Sequence, residues 1–426
     1  MKQEKAIFSR DFTLVTMGQI ISIFGNQILR YALPLYLLNL TGSSALFGTI
    51  SASAFIPMLV LFPIGGIIAD RFHKKNIMVL LDFGTSILIF LFCLLEGKMD
   101  IVPLVAITIV ALYGIQGAYQ PAVQASIPVL VSPEHLMQGN SIINLINSLA
   151  SMLGPVFGGI LFSVFGLSPI LYVSIGCFFV SAIMEIFIHM PFEKKQEKGN
   201  IFAIAIGDLK KSFHFMLREQ PVLWKISLVY ASLNLFLTAL ILIAVPVLVT
   251  QRLGFAGDTA NRLYGYAQGV IAASAVLGGL LAGVCSKKLK AKAGPFLLIG
   301  CALSVLLAGI GLQTLKNPMA VYVVLLVGSG LLVALSTVFQ IQVLSYLQIL
   351  TPADLIGKVT SCFICICMCM NPLGQLIYGN VFENIGNNIY LPFYIAAVIV
   401  IGISVVTRRI FNGIDPLLEN RKTKDC

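Results

Sequence analysis

Charged side chains are scarce in this sequence: Asp, Glu, Lys and Arg together make up 11% of its 426 residues, where a soluble domain carries about 25%. Acids are the scarcer sign, 18 against 28 Lys and Arg, and there are only four His and one Trp. A soluble chain that is 58% hydrophobic, with a mean hydropathy of +0.94, could not cover its own surface with polar groups; lipid as the solvent removes that requirement. The four His (His73, His135, His189 and His214) show no metal-ligand spacing, and no Gly-x-x-x-x-Gly-Lys phosphate loop occurs. No metal, no cofactor and no enzymatic activity are therefore expected, and ATP-driven transport would need a partner chain. The nine Cys lie mostly within apolar stretches and suggest no disulfide framework. Alternating, barrel-type strands are missing too, because the apolar runs are too long and do not alternate.

Long apolar runs are what is present. A membrane helix needs about 20 mostly apolar residues, and the sequence predicts twelve, over residues 12–38, 45–69, 76–95, 101–125, 139–165, 168–190, 223–250, 262–285, 295–314, 319–344, 358–382 and 391–410. The expected fold class is an all-α integral membrane protein. Frequent Gly (37) and Pro (18) suit close helix packing and hinges. Residues 1–11 are charged and lead into a run long enough to span, which reads as a first helix rather than a cleavable leader. With both termini placed inside, 23 Lys and Arg fall in inside loops and four outside (Lys98, Arg252, Arg262, Lys316), leaving only Arg30, of 28 in all, within a span. That bias predicts cytoplasmic termini in a cell membrane. It also accounts for the net charge of +10 through attraction to anionic inner-leaflet lipid, without nucleic acid.

The longest polar stretch, 191–222, divides the chain into expected halves of 1–190 and 223–426. Within it, Asp208–Arg218 has apolar residues at helical spacing and basic residues opposite; it reads as an amphipathic helix on the inner membrane surface or as a solvated linker helix. The halves echo each other. Gly65-Gly66-Ile-Ile-Ala-Asp70 recurs as Gly278-Gly279-Leu-Leu-Ala-Gly283, Tyr119-Gln120 as Phe339-Gln340, and Ser132–Leu136 as Thr351–Leu355, in the same order and offset by 213 to 220. A parallel repeat of six plus six helices places a substrate site near the bilayer midplane.

The loop after the second helix reads Gly66-Ile-Ile-Ala-Asp70-Arg71-Phe-His73-Lys74-Lys75. It resembles the signature of the major facilitator superfamily at that location, with His73 where a Gly is usual. The resemblance implies a conformational latch made by Gly66, Asp70, Arg71, Lys74 and Lys75: Gly66 allows close helix approach, and Asp70 faces the positive N-terminus of the eleventh helix near Gly357-Lys358. Gly283 in place of an acid makes the latch asymmetric. In the fifth helix, Gly154-Pro155-Val-Phe-Gly158-Gly159 resembles the Gly-Pro segment of facilitator antiporters, although Ser141 and Ala150 stand at two of that pattern's upstream Gly positions. Pro155 bends the helix and the glycines thin one face; ordinary Gly-mediated packing is the alternative. Gly18-Gln19-Ile-Ile-Ser22, Ala32-Leu33-Pro34-Leu35, the stretch from Pro121-Ala122 to Ile127-Pro128-Val-Leu-Val, and Thr351-Pro352 to Gly357-Lys358-Val359 are similar to the bacterial drug-efflux branch that includes macrolide exporters and a siderophore exporter.

Candidate cavity residues follow. Gln19, Ser22, Asn26 and Arg30, spaced 3, 4 and 4, form one polar stripe on the first helix. A charge inside a span is functional by default, with a structural ion pair or snorkelling as the alternative for Arg30. Tyr113, Gln116, Gln120 and Gln124 continue the polar set on the fourth helix, joined by Asn144, Asn147, Asn234, Gln268, Gln340 and Gln342; each buried amide needs a partner, whether a neighbour or substrate. The resemblance places their helices around the superfamily's cavity. Of the few carboxylates in the spans, Asp82 and Glu185 are the proton candidates, with Glu383 at an outer helix end. The lack of a central acid argues against a strongly cationic substrate; Arg30 with amides suits neutral or anionic amphiphiles. Cys362, Cys365, Cys367 and Cys369 lie close together on the eleventh helix and read as packing rather than as a soft-metal site.

The expected function is secondary active transport by a monomer in membrane lipid, with a small-molecule substrate and protons as partners: proton-coupled efflux of amphiphilic drugs such as macrolides by alternating access. Movement of one metabolite, siderophore or lipid-like, and a non-transporting sensor with the same fold are the alternatives.

Overall fold

The structure, a computed structural model, describes residues 9–132, 135–190, 207, 210–284, 293–352 and 355–412. Twelve helices among them are long and apolar enough to cross a membrane: α1 (Arg10–Thr41), α2 (Ser44–Arg71), α3 (Lys74–Leu95), α4 (Ile101–Leu130), α5 (Leu136–Phe165), α6 (Leu167–Ile186), α7 (Pro221–Arg252), α8 (Gly257–Val284), α9 (Gly294–Thr314), α10 (Pro318–Leu350), α11 (Ile356–Asn384) and α12 (Leu391–Asn412). No strand occurs among the described residues. All twelve expected spans are present. Several run past their hydropathy limits, α1 to Thr41 and α10 to Leu350, because hydropathy registers only the part of a helix that lipid must solvate, while polar end turns keep their backbone bonds. Of the expected linker helix, 208 and 209 lie outside the described residues; 210–214 are helical and continue into a wide turn, Phe215–Glu219, just before α7.

Local sequence sets the ends and irregularities. Ser9 Oγ caps α1 by accepting from the Phe12 amide at 3.2 Å, the side-chain satisfaction that an exposed first turn requires. Asn317 caps α10 in the same way, and Pro318 occupies the first position, where a missing N–H costs nothing. α7 is not uniform: it widens to π-helical turns at Asn234–Thr238 and Leu248–Arg252. Pro246 deprives the helix of one donor. Asn234 Nδ2 to the Tyr230 carbonyl (3.1 Å) and Thr250 Oγ1 to the Pro246 carbonyl (2.8 Å) supply side-chain donors along the irregular stretch.

The chain forms two compact units. Unit 1 takes in the residues up to Gly42, Ser53–Phe202 and Ala256–Gly269; unit 2 takes in Ser43–Ala52, Ala203–Phe255 and the residues from Val270. They differ from the sequence halves at two segments, the first turns of α2 and the first half of α8. Inside each unit the same packing recurs. In unit 1, α3 packs on α6 and α4, and α1 on α4, α5 and α6; in unit 2, α9 packs on α12 and α10, and α7 on α10, α11 and α12. This is the structural form of the six-plus-six echo in the sequence. Apolar side chains such as Leu80, Phe296 and Val398 stay fully open on the helix surfaces, the faces a bilayer would cover.

The interiors differ. Unit 1 holds a mainly aliphatic cluster of Val15, Met78, Ile127, Leu130 and Ile143, with Phe12 and Tyr119 among them, next to a set of polar groups. In unit 2 the corresponding space is aromatic: Tyr230 stacks on Phe363 (5.8 Å) and Phe339 on Phe411 (5.9 Å). Phe339 is the repeat partner of Tyr119.

Candidate functional site

Four helices of unit 1 meet at a polar knot. Gln19 Nε2 (α1) donates to the Tyr119 hydroxyl (α4) at 2.7 Å, and that hydroxyl donates to Glu185 Oε1 (α6) at 2.8 Å. One turn along α1, Ser22 Oγ donates to Asp82 Oδ1 (α3) at 2.9 Å. Ser181 Oγ ties α6 to the Gly18 carbonyl at 3.1 Å. Gln19 and Glu185 are wholly enclosed, and Asp82 and Tyr119 are each 2% exposed. The two carboxylates lie close enough to act on one another, with the Tyr119 hydroxyl and Ser181 beside Asp82. Asp82 Oδ2, Glu185 Oε2 and Gln19 Oε1 have no hydrogen-bond partner among the described residues, and no Lys or Arg among them forms an ion pair with either acid. A buried carboxylate without a cation is expensive when ionised. Two neighbouring enclosed carboxylates, each held by a hydroxyl, Asp82 by Ser22 and Glu185 by Tyr119, can instead take up and hold a proton.

The polar stripe of α1 keeps to one side but ends in two environments. Gln19 and Ser22 belong to the knot, and Asn26 is buried above them. Arg30 lies against α4, its guanidinium carbon 3.7 Å from the centre of the Tyr113 ring. Phe55 (α2) meets the same ring edge-on at 5.4 Å. Beside them in unit 1, Tyr31 stacks on Tyr264 of α8 (4.8 Å), and Gln268 Nε2 donates to the Tyr264 hydroxyl (3.1 Å). The Tyr31 hydroxyl donates to the Asn261 carbonyl, and Asn39 Nδ2 to Asn261 Oδ1.

The α5 glycines seat two helices on α5 within unit 1: Gly159 the first half of α8, and Gly154 and Gly158 the helix α1. A Cβ at Gly159 would stand 2.9 Å from Gly265 Cα, one at Gly158 would meet the Tyr31 ring at 3.1 Å, and one at Gly154 would meet Gln27 Cβ at 2.6 Å. Pro155 lies inside the helix. The first turns of α2 join unit 2 by the same device: Gly48 faces the Gln375 carbonyl and Gly379 of α11, and Glu383 accepts from Ser44 Oγ (3.1 Å) and the Ala45 amide (3.2 Å).

The expectation for Gly66 is corrected. A Cβ there would meet nothing within 4 Å, whereas one at Gly65 would stand 2.8 Å from Ala118 Cα. Adjacent helical residues point about 100° apart, so of this glycine pair it is Gly65 that the α2–α4 approach uses, opposite Gly117 of α4, which abuts the Met58 backbone. The echo repeats this: Gly278 abuts the Ala334 backbone of α10, and Gly279 and Gly283 meet nothing. Of the rest of the proposed latch, the Asp70 and Arg71 side chains lie outside the described residues, and Lys74 and Lys75 begin α3, half-buried.

The remaining candidates are scattered. Gln120 Nε2 reaches Asn147 Oδ1 at 3.5 Å. Gln116 is half-buried, and Asn144 and Gln124 are exposed. In unit 2, Asn234 is committed to its own helix, Gln342 is buried with its Nε2 on the Tyr346 hydroxyl (3.1 Å), and Gln340 points the other way, exposed. Cys367 packs against the Ser227 carbonyl of α7, and no metal-holding cluster of His, Cys, Asp and Glu occurs among the described residues. Tyr119 was visible in the sequence only as one member of a repeat; its position one turn from Gln116, on the polar side of α4, was the available signal. Asn261, Tyr264 and Phe55 carried no signal that set them apart.

The family model of the Major Facilitator Superfamily matches residues 15–370. The chain belongs to that superfamily. Its twelve long apolar helices are those of a multi-pass membrane protein, and its relatives include efflux-type transporters. The chain is 26% identical to the uncharacterized MFS-type transporter YfiS of Bacillus subtilis (strain 168) over 228 residues, 52% of each chain. It is 24% identical to Macrolide efflux protein A of Streptococcus pyogenes over 181 residues, 42% of this chain and 45% of that one. In both cases it spans about half the length of the relative. With Enterobactin exporter EntS of Shigella boydii serotype 4 (strain Sb227) the alignment is longer, 26% identity over 352 residues, 82% of this chain and 79% of that one. Solved structures share this superfamily fold at low identity. The POT family transporter PepTSo has a TM-score of 0.70 at 14% identity, covering 95% of this chain and 98% of its own. A bacterial homolog to human lysosomal transporter Spinster has a TM-score of 0.67 at 14%, covering 99% and 98%.

Proposed function

We propose that this transporter is a proton-coupled exporter of amphiphilic compounds, working by alternating access in the cell membrane with both termini in the cytoplasm. The observation that carries the coupling is the enclosed pair Asp82 and Glu185, joined through Ser22, Gln19 and Tyr119 and lacking a cation. Such a pair has no structural ion to hold and is costly when fully ionised, so binding a proton is the chemistry left to it. The aromatic rings that unit 2 has at the repeat position support assigning the proton function to unit 1. The efflux-type relatives support the outward direction, and the excess of Lys and Arg on one side supports the orientation. Macrolides are the first drugs to try. The latch reading of Asp70 to Lys75 stands on its sequence pattern alone.

The test uses everted membrane vesicles energised by respiration. They are expected to accumulate an amphiphilic macrolide, to lose it on addition of an uncoupler, and to accumulate about tenfold less or lower still in Asp82→Asn and Glu185→Gln at equal protein level. Uptake indifferent to the uncoupler overturns the proton coupling. A second reading, export of one metabolite such as a siderophore, is favoured by the length of the EntS alignment. It predicts unchanged drug sensitivity on deletion, with the metabolite retained in the cells.

A further inference from the structure

We infer that Arg30, Tyr113 and Phe55 form an anion-plus-ring subsite in unit 1, and that the amphiphilic compounds it takes include aromatic acids: a planar ring bearing one carboxylate or other ionised oxygen. The assignment deepens the transport reading above and rests on it for its cellular meaning. Arg30 lies within the α1 span, where an uncompensated charge costs several kcal/mol. Its recorded contact is the face of the Tyr113 ring. A cation–π contact offsets only part of that cost. Among the described residues none of the guanidinium N–H groups has a hydrogen-bond acceptor and no carboxylate pairs with it. The contact places the guanidinium carbon over the Tyr113 ring, and a guanidinium's planar fork matches two oxygens on one carbon.

The ring half of the subsite comes from the same elements. Phe55 meets Tyr113 edge-on at 5.4 Å, so two rings set at a steep angle stand beside the cation, the arrangement that edge-to-face or offset contact with a ligand ring uses. Tyr264 is near enough to Tyr113 for the two to act on each other, and Gln268 on its hydroxyl adds a neutral polar wall. The acids of unit 1 that carry the proton, Asp82 and Glu185, sit at the other end of the α1 stripe, at Ser22 and Gln19. Anion and proton would thus bind to different stretches of one helix.

Binding to purified full-length protein in lipid nanodiscs tests this with three probes of one shape: 2-naphthoate, its neutral amide 2-naphthamide, and the cation 2-naphthylmethylammonium. The expected result is that naphthoate binds about tenfold or more tightly than the amide, since a hydrogen bond to a charged group is worth about 1.5–3 kcal/mol, and that the cation binds weakest. Arg30→Gln should remove the preference while leaving amide binding in place, Arg30→Lys should restore part of it, and Tyr113→Leu should weaken naphthoate and amide together, by about fivefold. Equal binding of naphthoate and amide, preference for the cation, binding of none of the three, or a preference that survives Arg30→Gln would each overturn the subsite. The wild-type ranking needs no variant, so misfolding of a mutant cannot mask the answer. Nor does it need a proton gradient: an uncoupler without effect in vesicles ends the proton coupling and leaves this ranking intact, whereas a flat ranking with uncoupler-sensitive uptake removes the subsite alone.

Discussion

One hydroxyl distinguishes Tyr119 from its repeat counterpart Phe339, and it serves two buried partners. It accepts from Gln19 and donates to Glu185. Tyr119→Phe keeps the ring and its packing but leaves the Gln19 amide nitrogen and a Glu185 oxygen unsatisfied, a cost of about 1–3 kcal/mol for each buried group. The expected outcome is a thermal midpoint in detergent several degrees lower, read by thiol-reactive dye unfolding. Energised efflux should fall about tenfold with substrate affinity within about twofold. An unchanged efflux rate would show that the hydroxyl is a structural tie only. The identity of the two acids was legible in the sequence, because carboxylates in apolar spans are so few. Their meeting at Tyr119 was not: the contacts join residues 60, 66 and 100 positions apart, and helical periodicity fixes which face a residue occupies without saying which helix that face meets. The same holds for Arg30, whose place on the stripe was readable and whose partner ring on α4 was not.

At the scale of elements, glycine determines where helices touch, and the motif alone did not say which glycine. Gly65 and Gly66 are adjacent, but only Gly65 faces the α4 backbone at Gly117 and Ala118, and its echo Gly278 does the same on α10. Gly65→Ala places a carbon 2.8 Å from Ala118 Cα, closer than packed atoms tolerate. Because that neighbour is backbone, the helices must part, at a cost of about 1–3 kcal/mol. Gly66→Ala meets open space and gains helix propensity of about 1 kcal/mol. Thermal unfolding of the two variants side by side should show a clear loss for Gly65→Ala and none for Gly66→Ala. Equal losses would mean that α2 approaches α4 on a different face. Helix number, length and the repeat were legible, since lipid imposes them through composition. The π-helical turns of α7 were not, because they come from the balance of backbone donors around Pro246 and Asn234 rather than from hydropathy.

At the scale of the whole molecule, the two compact units do not follow the sequence halves, and the departure is confined to helix segments lined with small residues. The first turns of α2 belong to unit 2 through Gly48 against Gly379 and through Ser44 and Ala45 on Glu383, while the rest of the helix belongs to unit 1. A helix shared in this way can change allegiance at modest cost, since the tie is a glycine contact and a few hydrogen bonds to an exposed carboxylate. The proposed alternating access requires such a tie to open in each cycle. In a variant with the nine native Cys replaced, Ser44→Cys paired with Glu383→Cys should therefore be joined by a short bis-methanethiosulfonate reagent. Export in everted vesicles should then stop and return on adding dithiothreitol. Ser274→Cys paired with Gly330→Cys is the matched control. Those residues tie α8 to α10 inside unit 2, where Ser274 Oγ would lie 2.8 Å from a Cβ at position 330, and their link should leave export intact. If cross-linking α2 to α11 leaves export running at full rate, that contact is static and the route to the substrate must open elsewhere. If both links stop export, the α8–α10 pair also moves during transport.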